Sequence, residues 1–166
     1  VSMRKNVILS SMMGLVSGFG LIFATWLAVI GYLVAPVLFS ELDPLKAGNL
    51  VGMLLSISNI VLLAGLFGLL VARWLVFKWL IANGLLVLSV ILICVSEFWL
   101  SPKMQVIKEQ YPLGLSKTSP QWETFMTLHG VYQLVFLALI LVLVVWSVLN
   151  LNKLFLGRQS IDKKSL

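Results

Sequence analysis

"ETFMTLHGVYQLVFLALILVLVVWSVL", residues 123–149, opens with one glutamate and then runs to its end without another acid, lysine or arginine. Its 27 residues exceed the roughly 20 that an α-helix needs to cross a hydrocarbon core about 30 Å thick. In lipid the backbone has no water to bond, so such a run must satisfy its own N–H and C=O groups as a helix. The rest of the 166-residue chain agrees with this stretch: 60% of residues are hydrophobic, 11% are charged, and mean hydropathy is +1.06. A soluble domain carries roughly 25% charged residues. This chain cannot clothe a water-facing surface, and its length suits one domain, a transmembrane domain over 1–166.

Three more runs reach spanning length. The first is 7–39, with Pro36 expected to break it near its end. It far outlasts a signal peptide's apolar region of about 7–15 residues, so it reads as a retained helix. The second is 44–71, where Asp43 can cap a helix and Pro44 suits its first position, losing no hydrogen bond there. The third is 75–99, stopped by "SPK". Residues 100–122 then form an outer loop, and 150–166 a basic tail that either lies on an anionic membrane surface or frays. The expected fold is all-α, an integral-membrane four-helix up-down bundle.

Lys and Arg orient it. Arg4, Lys5, Arg73, Lys78, Lys153, Arg158, Lys163 and Lys164 fall on one side. Lys46, Lys103, Lys108 and Lys117 fall on the other, with Glu41, Asp43, Glu97, Glu109 and Glu123. The positive-inside rule places both termini in the cytoplasm. Trp99 and Trp122 flank the outer loop as an aromatic belt would.

Packing expectations follow from small residues, which let helix backbones approach closely. Gly14 and Gly18 lie on one stripe of the first span. Gly48, Gly52, Ser56 and Gly68 lie on a stripe of the second, so these two spans are expected to form the tight central pair.

Polar residues at membrane depth are costly and hence functional candidates. His129 is the only histidine and Cys94 the only cysteine. Met53, Cys94, Glu97, Met126 and His129 fall in the outer third, Asn59 and Gln133 near the middle. Cys94 and Glu97 share a helix face at i, i+3, as do Met126 and His129. Met53, Cys94, Met126 and His129 are donors of the type that suits Cu(I), although their spacing matches no metal signature. A bis-histidine haem needs a second histidine, so haem would require a methionine or a partner's ligand. Glu97 and His129 together suit proton or ion handling. The plainer reading is preferred: Glu97 snorkels to the interface, His129 bonds a carbonyl or Glu97, and Asn59 and Gln133 bond across helices. No bound metal or cofactor is expected.

No phosphate loop, nucleophile elbow, metal-spaced histidine pair, dinucleotide fingerprint or basic-aromatic face is present. Catalysis and nucleic-acid binding are therefore not expected. The partners expected are the bilayer and other membrane subunits. The leading function is an accessory or structural subunit of a larger membrane complex. The alternatives are a small metal or small-molecule transporter using the cluster around His129, and a haem- or redox-linked subunit completed by a partner.

Two segments resemble bacterial membrane proteins similar to the transmembrane protein 205 family. In "GYLVAPVLFSELDPLKAGNLVG" the matching residues are Pro36, Leu38-Phe39, Ala47-Gly48 and Gly52. In "LHG" they are Leu128, His129 and Gly130. Leu54-Leu55 and Tyr132 depart from the pattern. The resemblance implies a four-helix integral membrane protein with a longer loop before the last helix, and no defined activity. It also brings Pro36, Phe39, Gly48, Gly52 and His129 to the outer end, where the carbonyl freed by Pro36 could accept from the imidazole.

Overall fold

The computed structural model describes residues 14, 18–76 and 81–162. Four helices among them are long and apolar enough to cross a membrane: Gly18–Glu41, Pro44–Val71, Asn83–Glu109 and Trp122–Asn152. The all-α bundle expected from composition is present. Residues 1–13, 15–17, 77–80 and 163–166 lie outside the described residues, and with them Arg4, Lys5, Lys78, Lys163 and Lys164.

The turn between the first two helices follows its sequence closely. Leu42 is extended, with φ −120° and ψ 157°. Asp43 then caps the second helix, its Oδ1 accepting the Leu45 N–H at 2.9 Å, and Pro44 opens the helix with no donor to lose.

Four boundaries differ from expectation. Pro36 does not break the first helix, which continues to Glu41 after a π-helical turn over Ile30–Val34. "SPK" does not end the third helix either: a π-turn over Ser96–Leu100 precedes Ser101–Glu109, so the first part of the expected outer loop is helix. The second helix runs through Val76, taking the start expected for the third span, and the third is described from Ile81. The fourth helix runs unbroken from Trp122 to Asp162, which makes most of the expected tail helical.

What remains of the outer loop is short. Gly114, at φ +102°, takes a conformation that a side chain would strain. Gln121 Nε2 donates to Gln110 Oε1 at 2.7 Å and closes the loop's base. On the third helix Lys103 sits 4.3 Å over the Trp99 ring, a cation–π contact.

The fourth helix has the largest buried share: 39% of its apolar window is buried, against 28% for the second and third helices and 22% for the first. It carries Trp146, Leu143 and Leu139 at the centre of a core that takes in Leu27, Leu62, Leu66, Leu86, Ile93 and Leu100. Among the second, third and fourth helices, the third and fourth share the largest interface.

The reason is large-to-small fit. A Cβ at Gly20 would stand 2.9 Å from Trp146 Cε3, and one at Gly31 would stand 2.6 Å from Phe136 Cε1. The first helix thus uses its glycines to admit rings of the fourth. Between the first and second helices, Phe19 packs onto Gly65, and Trp26 Nε1 donates to Ser58 Oγ at 2.9 Å.

The stripe expected to pack does so only in part. Gly14 is helical and half-buried, and Gly48 lies against Phe39 and the end of Lys108. Among the described residues nothing lies within 4 Å of a Cβ built at Gly18, Gly52 or Gly68, and Gly52, Ala64 and Gly68 are exposed.

Candidate functional site

Asn59 lies fifteen residues along the second helix from Pro44, about 22 Å at 1.5 Å per residue. With the turn that carries Lys46 and Asn49 left at the interface, this is near the middle of the hydrocarbon layer. Ser56 and Asn59, at i and i+3, share a helix face. Both side chains reach the same group, the carboxylate of Glu97 on the third helix. Ser56 Oγ donates to Oε1, and Asn59 Nδ2 donates to Oε2 at 3.2 Å.

Glu97 therefore does not snorkel outward. It lies within the π-turn Ser96–Leu100 and turns inward between helices. On either side of it in the chain, Ser96 and Leu100 are buried, while Phe98 and Trp99 are exposed to lipid. Tyr132 of the fourth helix completes the surroundings: it is buried, with Asn59 and Glu97 as neighbours. Asn59 itself is 1% exposed, and among the described residues its Oδ1 has no hydrogen-bond partner.

His129 is placed elsewhere. Its Nε2 lies 3.0 Å from Gln133 Nε2, one turn along the same helix, and its ring stacks on Phe125 with centroids 6.1 Å apart and planes at 9°. Neither the expected Glu97–His129 hydrogen bond nor the expected bond to a carbonyl freed by Pro36 is its recorded contact. Gln133, expected to bond across helices, bonds this imidazole instead. Lys108, on the helical extension above, reaches the Gly48 carbonyl at 3.5 Å.

The soft donors are dispersed. Met53 and Met126 are 54% and 43% exposed and face outward, while Cys94 is half-buried with a free thiol. Among the described residues, no three His, Cys, Asp or Glu are grouped so as to hold a metal ion.

Sequence reasoning identified Glu97 and Asn59 but paired Glu97 with the wrong helix. It read Ser56 as a packing residue and Tyr132 as a mere departure from a motif. The available signal was the Ser56–Asn59 spacing, which puts two hydrogen-bonding side chains on one face of an otherwise apolar helix.

Residues 11–112, well over half of the chain, match the model of a family described as "Domain of unknown function (DUF4149)". No curated protein and no solved structure matches. The matched segment contains Pro36, Phe39, Gly48, Gly52, Ser56, Asn59 and Glu97 and stops short of His129, Tyr132 and Gln133.

Proposed function

The chain belongs to the DUF4149 family, whose description assigns no activity, and from its geometry we propose that it is a non-enzymatic multi-pass membrane protein serving as an accessory subunit of a larger membrane assembly. The observation that supports this reading is a pair of small residues on the outer surface of the second helix. Ala64 and Gly68, four residues apart and so on one face, are both exposed, and among the described residues nothing lies within 4 Å of a Cβ at Gly68. Small residues contribute little against lipid, whereas they allow a second helix backbone to come close. The fit is to a transmembrane helix of a partner.

The distribution of Lys and Arg supports a cytoplasmic location for both ends. The resemblance of "GYLVAPVLFSELDPLKAGNLVG" to the transmembrane protein 205 group supports placement in a bacterial inner membrane as a four-helix protein. A second reading, handling of a small cation, is favoured by one specific observation, the Glu97 carboxylate held between helices at membrane depth. Copper or haem completed by a partner would have to recruit Met53 or Met126 from the bundle's outer surface.

Native mass spectrometry after gentle extraction tests the subunit reading. Recovery within a heavier assembly, lost on Ala64→Leu and Gly68→Leu substitution, is the expected result. A lone chain near 18.4 kDa under every extraction condition would overturn it.

A further inference from the structure

Glu97 brings a carboxyl group into the bilayer's interior, where its ionised form carries a charge that is costly without compensation. Ser56 and Asn59 donate to it, but both are neutral, so the charge itself is not cancelled. Among the described residues, Glu97 has no lysine, arginine or histidine as an ion-pair partner. Beside it lies an acceptor with nothing to accept: Asn59 Oδ1, on a side chain 1% exposed and already in contact with Glu97 through its Nδ2. A buried acceptor left unpaired in a native fold calls for an explanation.

We infer that Glu97, Asn59 and Ser56 form an intramembrane site for a single monovalent cation, with the Tyr132 hydroxyl beside it. The donors are all oxygens: a carboxylate, an amide carbonyl and a hydroxyl, with the phenol adjacent. Such a set selects hard cations over soft ones. One carboxylate balances one positive charge, whereas a divalent ion would leave the site charged in lipid. A proton on the carboxyl and Na⁺ shared between the carboxylate and Asn59 Oδ1 are two sources of this same neutralising charge. The titratable and charged groups around the site are Tyr132 on the fourth helix and Cys94 on the third, with His129 and Lys108 toward the outer end. This inference goes beyond the subunit reading and does not rest on it.

Dicyclohexylcarbodiimide, an apolar reagent for protonated carboxyls in membranes, provides the test on the purified full chain in micelles. Labelling is followed across pH, with NaCl exchanged for choline chloride at constant ionic strength, and the adduct is located by peptide mass spectrometry. The expected result is one adduct per chain, on Glu97, absent from Glu97→Gln. Its yield is expected to fall several-fold on raising the pH, or on adding Na⁺ at fixed pH. Protection by Na⁺ identifies sodium as the ligand, and sensitivity to pH alone identifies the proton. Asn59→Leu, which keeps the carboxylate, is expected to weaken Na⁺ protection in the first case and to displace the pH profile in the second. No adduct on Glu97 at any pH, or a yield indifferent to both pH and Na⁺, would overturn the inference.

Discussion

Pro36 and Pro102 stand in the same relation to a π-turn. Ile30–Val34 ends two residues before Pro36, and Ser96–Leu100 ends two residues before Pro102. A proline inside an α-helix has no N–H for the carbonyl four residues back, and its ring collides with that carbonyl. In both helices the turn widens ahead of the ring. The Ala35 N–H bonds Ile30 O and the Ser101 N–H bonds Ser96 O, each five residues back. The helix thereby absorbs the proline and continues. The second of these turns contains Glu97, so the device that accommodates Pro102 also sets the direction of the one carboxylate held between helices.

The helix-packing account can be tested at two glycines of opposite surroundings. Gly20→Val would drive a side chain into Trp146, which is fully buried. The expected loss is about 1–3 kcal/mol, typical of overpacking. Gly68→Val meets nothing within 4 Å and should change stability by less than about 0.5 kcal/mol in the isolated chain. Thermal unfolding in micelles, followed by circular dichroism, separates the two. Equal effects would show that the fourth helix does not use the glycines of the first as described.

This contrast also marks what could be read from the sequence. Membrane residence and four spans follow from run length and charge alone, because lipid tolerates so few alternatives. The Asp43-Pro44 helix start was legible because capping is a local matter. The proline positions misled because their effect depends on whether a helix can widen, which neighbouring helices decide. Gly20 and Gly65 could not be ranked above Gly52 and Gly68 for a similar reason. A glycine matters here through the ring facing it, and the identity of that ring lies elsewhere in the chain.

The Glu97 site should behave as a coupled pair. Asn59→Leu leaves Glu97 with Ser56 alone, and Glu97→Leu leaves a buried Asn59 unsatisfied. Each is expected to cost about 1–2 kcal/mol, since removing one partner strands the other. The double substitution should cost less than the two single costs combined, by roughly 1 kcal/mol, because interhelical hydrogen bonds in membranes are of that size. Strict additivity in a thermal double-mutant cycle would mean that the two side chains do not interact.

His129 should be nearly dispensable for the fold. Its recorded contacts, Gln133 and Phe125, lie one turn away on its own helix, and such pairs are worth roughly 0.2–0.5 kcal/mol. His129→Phe keeps the stacking and is expected to unfold within about 0.5 kcal/mol of the unsubstituted chain. A loss above about 2 kcal/mol would imply a partner for the imidazole on another helix.

Topology is accessible through the single native cysteine. In a Cys94→Ser background, a cysteine at Ser116 in the outer loop should react with a membrane-impermeant maleimide added outside intact cells. One at Ser160 should react only after the membrane is opened. The reverse pattern would contradict the orientation drawn from Lys and Arg.

Pro102→Ala joins the backbone argument to the site. With the ring gone, the third helix can close its wide turn to ordinary α geometry, in which each residue turns about 100°. Residues from Glu97 outward then rotate relative to those up to Val95, and the carboxylate swings away from Ser56 and Asn59. In that background Asn59→Leu should cost almost nothing further, whereas beside an intact Pro102 it should keep its penalty of about 1–2 kcal/mol. Pro36→Ala is the matched control: it removes the same constraint from the first helix, which contributes neither Ser56, Asn59 nor Glu97, so the Asn59→Leu penalty should survive it. An undiminished penalty in the Pro102→Ala background would mean that the π-turn does not aim Glu97 and that packing of Ser96 and Leu100 against the bundle sets its direction instead.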